Sequence, residues 1–307
     1  MVARRRKGRK VDGILLLDKP AGISSNQALQ KVKRLFQAQK AGHTGNLDGP
    51  ATGLLPVCFG EATKMTTYLL DSDKSYTATI KLGINTTTLD AEGDVIKTRP
   101  VPKFSAEDLQ EILQQFRGDI IQIPPMYSAL KHDGERLYKL AQKGKEVERK
   151  ERQQKIYRLE ASRLTGNGFT IEVDCSKGTY IRTLAEDIGE VLGCGAHVLS
   201  LKRTKVGCFD LDDSYTIELI EKGVELSEEI DNLLLPVDEG LKDLPICNLS
   251  NETAFYFLNG QSVVASCKEK SGLTRVYRAS EQFLGIAEIM MDGRIAPKRL
   301  IATGADQ

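Results

Sequence analysis

The 307-residue sequence predicts an α+β fold with one large domain followed by a small one. Residues 74–83 alternate between apolar and polar side chains, as a half-buried strand does. Residues 105–116 and 181–192 repeat apolar side chains every three to four positions, as amphipathic helices do. From Ser250 onwards, a short helical pattern and several short alternating segments indicate a separate compact module.

The composition excludes several classes of protein. Apolar residues make up 40% of the chain, but no apolar run approaches the roughly 20 residues of a membrane span. The six cysteines include no C-x-x-C pair and the chain has only three histidines, so we expect no structural metal site. Because no signal peptide is visible, we expect free thiols and a cytoplasmic location.

The net charge of +1 does not mark a nucleic-acid-binding protein, but the charges are segregated. Residues 131–158 hold ten Lys or Arg and five Asp or Glu, whereas residues 210–240 hold eleven Asp or Glu and one Lys. A basic face on a nearly neutral protein is sufficient for RNA binding. Residues 1–10 carry six basic side chains, which predicts a disordered tail that either contacts phosphates loosely or is merely solvated.

The first predicted elements are a strand over 11–17, a turn over 18–22 and a helix that Ser24 or Ser25 caps. The stretch 42–56 follows, and its four glycines and two prolines argue against a helix or a regular central strand. This stretch carries His43 and Asp48 to the edge of an apolar run. Two interpretations stay open: a rigid catalytic loop, or a tight turn in which Asp48 caps backbone amides.

The middle of the chain predicts a helix capped by Ser105 and then a projecting arm over about 124–155, where prolines, glycines and charges are dense. A strand over 169–175 leads into a helix that ends at Gly193. Tyr180 and Arg182 lie at the start of this helix and off its apolar side, so both side chains can face a cleft.

The stretch 42–56 matches G-H-x-G-x-L-D-x-x-A-T-G-x-L-P and resembles the active-site loop of the TruB family of pseudouridine synthases. The resemblance continues at D-K-P-x-G-x-x-S, at P-P-x-Y-S-A-x-K and at C-S-K-G-T-Y-I-R, and so spans nearly the whole chain. Asn46 stands where the family usually has a small residue, and Gly49-Pro50 stands where it has proline directly after the aspartate. The arm resembles the RNA-gripping insertion of the bacterial members.

The resemblance implies a pseudouridine synthase fold over 11–249, with a mixed, mainly antiparallel sheet and peripheral helices. It also implies a small PUA-like β-barrel over 250–307 that grips the tRNA acceptor stem. The implied activity isomerises uridine to pseudouridine at position 55 of tRNA nomenclature, in the T-loop. The implied partner is tRNA, bound through T-arm and acceptor stem by a monomer. The reaction is redox-neutral and releases nothing, so we expect no cofactor and no metal.

The resemblance also assigns roles to single residues. Asp48 is implied to be the catalytic carboxylate, as a nucleophile or as the base that removes the 2′ proton. Arg182 is implied to keep Asp48 ionised, because a guanidinium lowers the pKa of a neighbouring carboxyl. The target base is implied to leave the loop stack, with Tyr76 as its stacking face and Leu201 as an apolar wall.

Three further residues follow from the resemblance. Tyr180 is implied to contact the ribose or the base, and His43 to stack in the space that the flipped nucleotide leaves. Lys64 is either a phosphate contact or an ordinary surface lysine.

Two other functions would require different sets of residues. A glycoside hydrolase needs two cooperating carboxylates, and Asp48 alone lies in such a loop. A non-catalytic tRNA-binding or folding module would need the arm and the C-terminal module but not Asp48.

Overall fold

The computed structural model describes residues 8–279 and 281–302. Its strands are β1 (Gly13–Lys19), β2 (Ala41–His43), β3 (Thr52–Phe59), β4 (Lys74–Leu82), β5 (Ile84–Thr86), β6 (Val95–Thr98), β7 (Gly118–Gln122), β8 (Lys131–His132), β9 (Glu135–Arg136), β10 (Arg152–Thr165), β11 (Gly168–Cys175), β12 (Ala196–Val206), β13 (Phe209–Asp210), β14 (Tyr215–Thr216), β15 (Ile246–Leu249), β16 (Val263–Val264), β17 (Gly272–Arg278), β18 (Gln282–Ile289) and β19 (Arg294–Leu300). The helices are α1 (Ser25–Leu35), α2 (Thr66–Leu70), α3 (Ala106–Gln114), α4 (Leu137–Gln142), α5 (Ile181–Val191), α6 (Ile217–Glu225) and α7 (Asn251–Leu258).

The large domain is built on one ten-stranded sheet with the order β14-β1-β3-β12-β4-β11-β10-β7; β2 lies beside β3 and β13 beside β12. The β1–β14 and β3–β12 pairs are parallel, and the other neighbours along this path are antiparallel. Helices α1, α3, α5 and α6 pack against the sheet around its periphery. These features confirm the predicted α+β fold with a mixed, mainly antiparallel sheet.

Local sequence signals start and stop the helices, including those predicted at Ser24 or Ser25, at Ser105 and at Gly193. Ser24 rather than Ser25 caps α1, and it does so in a reciprocal capping box with Gln27. Ser105 caps α3, and Thr216 accepts a hydrogen bond at the start of α6. Gly193 has φ +79° just after α5, in the left-handed region where glycine ends helices at little cost.

The sheet has two halves, and each half has its own core. One half packs against α1 and α6, the other against α3 and α5. The halves meet where β3 and β12 run parallel, through the pairs Thr52–Lys202 and Gly53–Arg203. The cleft described below opens at this junction.

The prediction that 42–56 is not part of a regular central strand was wrong for its last residues. Thr52 to Pro56 belong to β3, between β1 and β12 in the sheet. Gly53 makes this possible, because it has φ +99° and because a Cβ there would lie 2.3 Å from the carbonyl oxygen of Arg203. Residues 44–51 remain an irregular loop, here called the catalytic loop.

The C-terminal module is a five-stranded sheet in the order β15-β17-β18-β19-β16, with α7 packed on its core. It begins at Ile246, so the boundary expected at 250 falls after its first strand. The module also packs on the large domain. Met65 and Leu241 form a buried cluster with Ile286 and Ile301.

The expectation of six free thiols was wrong. Cys247 on β15 and Cys267 are joined in a disulfide with their Cα atoms 5.1 Å apart. The two residues are 20 positions apart in a loop-rich module, and sequence spacing alone does not indicate such a pair. Cys58, Cys175 and Cys194 are buried free thiols, and Cys208 is an exposed one.

The basic tail is ordered at its end. Residues 1–7 of the tail predicted over 1–10 lie outside the described residues. Arg9, however, pairs with Asp231 at 2.5 Å, and its backbone N–H donates to the carbonyl of Gln37. Arg9 is therefore held in place by a long-range ion pair and a backbone hydrogen bond. The charge pattern of the tail does not indicate either contact.

The arm over 124–155 is a small hairpin of β8 and β9 followed by α4 and an exposed return to β10. Leu137 and Leu140 of α4 are buried. Arg149 donates to the carbonyl of Pro124 at 3.1 Å and so joins the two ends of the arm. No helix in the described part of the chain is long and apolar enough to cross a membrane.

Candidate active site

Side chains from three other elements hold the backbone of the catalytic loop. The buried guanidinium of Arg203 on β12 donates to the carbonyl oxygens of Gly45 and Asn46, at 3.3 and 3.4 Å. Ser25 at the start of α1 donates to the carbonyl of Leu47 and accepts from its N–H. Each contact satisfies a backbone group, so the loop is fixed although it has no regular structure.

Lys19 at the end of β1 holds the segment that follows Asp48. Its side chain is fully buried, and Nζ donates to the carbonyl oxygens of Pro20, Ile23 and Gly49. Gly49 is not in the left-handed region, and a Cβ there would make only ordinary contacts with Glu92. The glycine that follows Asp48 is therefore not required by backbone strain or by lack of space.

Asp48 and Arg182 meet at the mouth of the cleft. The Asp48 carboxylate lies 3.1 Å from the Arg182 guanidinium, whose side chain is only 7% exposed. The guanidinium also donates to the carbonyl oxygens of Thr88 and Tyr127, each at 2.8 Å. Because the two carbonyl oxygens hold the guanidinium from other sides, Arg182 presents one fixed face to Asp48.

Asp90 is a second carboxylate on the same guanidinium, 3.6 Å from it. The sequence interpretation missed Asp90, because residues 90–94 indicate only a polar turn. Asp90 is buried and accepts from Thr88 and from the backbone of Glu92, whereas Asp48 faces the cleft. The arrangement thus has one carboxylate turned to the cleft and one that orients the arginine.

The pKa of Asp48 is raised from its ordinary value of 3.8. Although 46% of the side chain is reached by water, protein surrounds it on several sides, and this desolvation is the largest cause. Arg182 lowers the pKa, as expected, but does not outweigh desolvation and the repulsion by Asp90. The carboxylate therefore forms at a higher pH than in an ordinary aspartate.

A pocket of about 290 Å³ opens beside Asp48. Tyr76 and Leu201 line it from adjacent strands, since Tyr76 pairs with Arg203 and Leu201 with Ala78 in the β4–β12 register. Burial raises the pKa of the Tyr76 hydroxyl, and the guanidinium of Arg203 beside it acts in the opposite direction. The register places the Tyr76 ring and the Leu201 side chain next to each other on one face of the sheet, and the space that they line is large enough for a pyrimidine.

Tyr180 also lines this pocket. It is the residue before α5, and the amide side chain of Gln122 bonds both its N–H and its carbonyl. Burial raises the pKa of its hydroxyl. The predicted position of Tyr180 and Arg182 at the start of the helix and facing a cleft is confirmed.

His43 lies in a neighbouring, more open cavity of about 740 Å³ that shares Asp48 and Arg182 with the pocket. Burial lowers the pKa of His43, and the charge of Arg203 adds to this effect. The imidazole is therefore neutral at physiological pH, and its ring can stack without carrying a charge.

Lys64 is not part of the cleft. Its Nζ pairs with Glu61 at 2.6 Å and donates to the carbonyl of Leu300 in the C-terminal sheet at 2.8 Å. Ala302 in turn donates its N–H to Glu61. In this structure Lys64 joins the two domains, whereas the six other predicted site residues surround the pocket or the adjoining cavity.

Four residues of the site escaped the sequence interpretation: Lys19, Lys74, Asp90 and Arg203. Three of them are cations whose side chains are almost fully buried. The sequence carries no clear signal for them, because Lys19 and Lys74 stand at the ends of their strands and Arg203 stands in a polar run between Lys202 and Lys205. In the described residues, no group of three His, Cys, Asp or Glu side chains could hold a metal ion.

Family models match most of the chain. The model for "TruB family pseudouridylate synthase (N terminal domain)" matches residues 33–181. The model for "tRNA pseudouridylate synthase B C-terminal domain" matches 182–242, and that for "Pseudouridine synthase II TruB, C-terminal" matches 245–301.

Curated relatives with the name tRNA pseudouridine synthase B are similar over nearly their whole length. The relative from Ectopseudomonas mendocina (strain ymp) is 55% identical over 303 residues, which cover 98% of this chain and 99% of the relative. The relative from Nitrosococcus oceani is 52% identical over 299 residues, which cover 97% of each chain.

Two solved structures share the fold at lower identity. The crystal structure of a Cbf5-Nop10-Gar1 complex matches with a TM-score of 0.72 and 24% identity, over 95% of this chain and 84% of that one. The structure of an H/ACA RNP bound to a substrate RNA containing 2′-deoxyuridine matches with a TM-score of 0.74 and 20% identity, over 98% and 92%. Both support the pseudouridine synthase fold.

The matches to the family models, and the relatives with which this chain shares more than half of its residues, show that the chain belongs to the TruB family of pseudouridine synthases.

Proposed function

We propose that this chain isomerises uridine to pseudouridine in tRNA, at position 55 in the T-loop, and that Asp48 is the carboxylate the reaction needs. The observation that carries the proposal is the position of Asp48, 3.1 Å from Arg182 at the mouth of a pocket lined by Tyr76 and Leu201. The relatives with more than half of their residues identical are named tRNA pseudouridine synthase B.

The pocket suits a base that has left its stack. In the proposed complex the uracil lies on the Tyr76 ring, with Leu201 on the opposite side, and the ribose faces Asp48. Tyr180 closes the pocket from the start of α5, and His43 stacks in the place that the flipped nucleotide leaves. Asp48 acts as a nucleophile at C1′ or as the base that removes the 2′ proton.

The remaining parts of the chain hold the rest of the tRNA in this proposal. The arm contacts the T-arm, and the C-terminal sheet contacts the acceptor stem. The protein acts as a monomer in the cytoplasm. The chemistry requires no cofactor, because the product has the same composition and oxidation state as the substrate.

The test uses an unmodified T-arm stem-loop transcript and the purified full-length chain. We expect one pseudouridine, located at position 55, when the product is treated with acrylonitrile, which forms a heavier adduct selectively with pseudouridine, and is then digested and mapped by mass spectrometry. A matched transcript with cytidine at that position is the control and is expected to stay unmodified. If the chain binds the transcript but forms no pseudouridine in it or in full-length tRNA, the non-catalytic binding module is the better description.

Exposed lysines on the arm are expected to contribute to the salt dependence of tRNA binding. Lys143, Lys145 and Lys150 are exposed, whereas Arg149 joins the ends of the arm and is left unchanged. Replacing the three lysines with glutamine is expected to flatten the slope of log affinity against log salt, by about 0.7–0.9 for each phosphate that a lysine no longer neutralises. Filter binding over a salt series measures this slope.

The matched control replaces three exposed lysines away from the arm, Lys97, Lys103 and Lys222. Its slope is expected to equal that of the unmodified protein. If the arm variant also keeps the original slope, the arm is a solvated surface and does not touch the phosphates.

A further inference from the structure

Two of the residues that line the pocket, Lys74 and Arg203, are buried cations. Within the part of the chain that the structure describes, neither forms an ion pair. Lys74 and Arg203 both line the pocket, yet are only 9% and 1% exposed. Lys74 Nζ donates to the carbonyl oxygens of Leu70 and Ser72, and Arg203 donates to carbonyl oxygens of β3 and the catalytic loop. Carbonyl oxygens solvate a cation without neutralising it, so a net positive charge remains beside the pocket.

The strand register brings both cations to the ring of Tyr76. Lys74 lies two residues before Tyr76 on β4, and therefore on the same face of the strand. Arg203 lies directly opposite Tyr76 on β12, and Leu201 lies two residues before Arg203. A base that rests on Tyr76 and against Leu201 therefore lies on the same face of the sheet as both cations, which line the same pocket.

Holding these two charges together is unfavourable for the free protein. Burial lowers the pKa of Lys74 to about 8, and repulsion by Arg203 adds to this, while Cys175, Asp73 and Asp71 act weakly in the opposite direction. The amine is still mostly protonated at neutral pH. A buried charge without an ionic partner costs folding free energy. Arg203 has a role in holding the catalytic loop, but the fold supplies no such reason for a second cation at Lys74.

The proposed reaction supplies the missing anion. If Asp48 attacks C1′, a C1′–O bond forms and the C1′–N1 bond breaks, with its electron pair moving to N1. If Asp48 instead takes the 2′ proton, the C2′–H pair forms a C1′=C2′ double bond and the C1′–N1 pair again leaves with N1. In both cases Asp48 loses its negative charge, and the detached uracil carries it on N1, O2 and O4.

We propose that Lys74 and Arg203 form a fixed cationic wall that stabilises the negative charge on the detached uracil. This inference rests on the proposed function, but it is independent of which role Asp48 has. The charge moves from a carboxylate beside Arg182 to a base beside Lys74 and Arg203. Because these cations are in place before the reaction, no rearrangement is needed when the charge develops.

The test compares two substrates in one variant. Lys74→Met removes the charge and keeps an unbranched side chain, and it is expected to slow single-turnover cleavage of the N1 bond by about 10²-fold in a uridine T-arm. In the same RNA with 5-fluorouridine at the target position, the electron-withdrawing fluorine already stabilises the anion. The ratio of the wild-type rate to the Lys74→Met rate is therefore expected to be clearly smaller with 5-fluorouridine than with uridine. Both substrates are measured at the same neutral pH.

Two matched variants separate charge from structure. Lys74→Arg keeps a cation and is expected to retain more of the rate than Lys74→Met. Lys81→Met removes a lysine from the opposite face of the same strand and is expected to leave both rates unchanged. Circular dichroism and thermal melting identify variants that are folded, and the substrate comparison is made within each folded variant.

The outcomes distinguish this inference from the proposed function. If the wild type forms no pseudouridine, the proposed function fails, whatever Lys74 does. If the wild type is active but Lys74→Met slows uridine and 5-fluorouridine equally, Lys74 has a structural role and the cationic wall is overturned. A folded Lys74→Met with the wild-type rate overturns it as well.

Discussion

Replacing Asp48 with asparagine is expected to abolish pseudouridine formation in a T-arm transcript. The amide has nearly the same shape as the carboxylate but is neither a nucleophile nor a base. The fold is expected to survive, because Arg182 keeps Asp90 and the carbonyl oxygens of Thr88 and Tyr127 as partners. Single-turnover assays with a nuclease digest measure the activity, and filter binding measures the affinity for the same RNA.

Affinity is expected to be retained or slightly increased, since a negative charge near the RNA is removed. Asp94→Asn, in the exposed turn after Asp90, is the matched control and is expected to keep full activity. Loss of activity together with loss of the fold would instead support the turn-capping interpretation of Asp48. A folded Asp48→Asn protein with the normal rate would falsify the proposed mechanism.

Tyr76→Phe is expected to keep RNA affinity but to lower the rate by roughly 10²–10⁴ if the hydroxyl takes part in proton transfer. The ring remains in place for stacking, because its position is set by the β4–β12 register. Only the group beside the Arg203 guanidinium is removed. Single-turnover rates at saturating protein, compared with the affinity from filter binding, separate these two effects.

The control for this variant is Tyr215→Phe, which removes a hydroxyl at the far edge of the same sheet. It is expected to have no effect on the rate. A Tyr76→Phe protein with the wild-type rate would leave stacking as the whole role of this side chain.

Local signals made much of the fold predictable from the sequence. Helix starts at Ser105 and Thr216 depend on a hydrogen bond to a residue three positions away, and the stop at Gly193 depends on one left-handed residue. The position of Tyr180 and Arg182 at the start of α5 followed from helical periodicity in the same way. These features are encoded within a few consecutive residues.

Long-range pairings were not predictable, because they depend on how distant segments meet. Asp90 reads as part of a polar turn until Arg182 is placed beside it, 92 positions further along the chain. Arg203 acts on the catalytic loop across more than 150 positions. The Cys247–Cys267 bond and the hydrogen bond from Lys64 to Leu300 have the same character. Each requires the folded topology, which periodicity does not describe.

Contacts at the junction between the two domains restrict the length of the RNA that the protein can bind. Lys64 and Glu61 bond the end of β19 and the residues after it, and a buried apolar cluster lies beside them. The bonds and the cluster restrict rotation of the C-terminal sheet as an independent module. If this sheet binds the acceptor stem, as proposed, the distance between the surface that binds the stem and the pocket that binds the T-loop base is fixed. An RNA with a lengthened stem would then have to bend, or it would reach only one of the two binding surfaces.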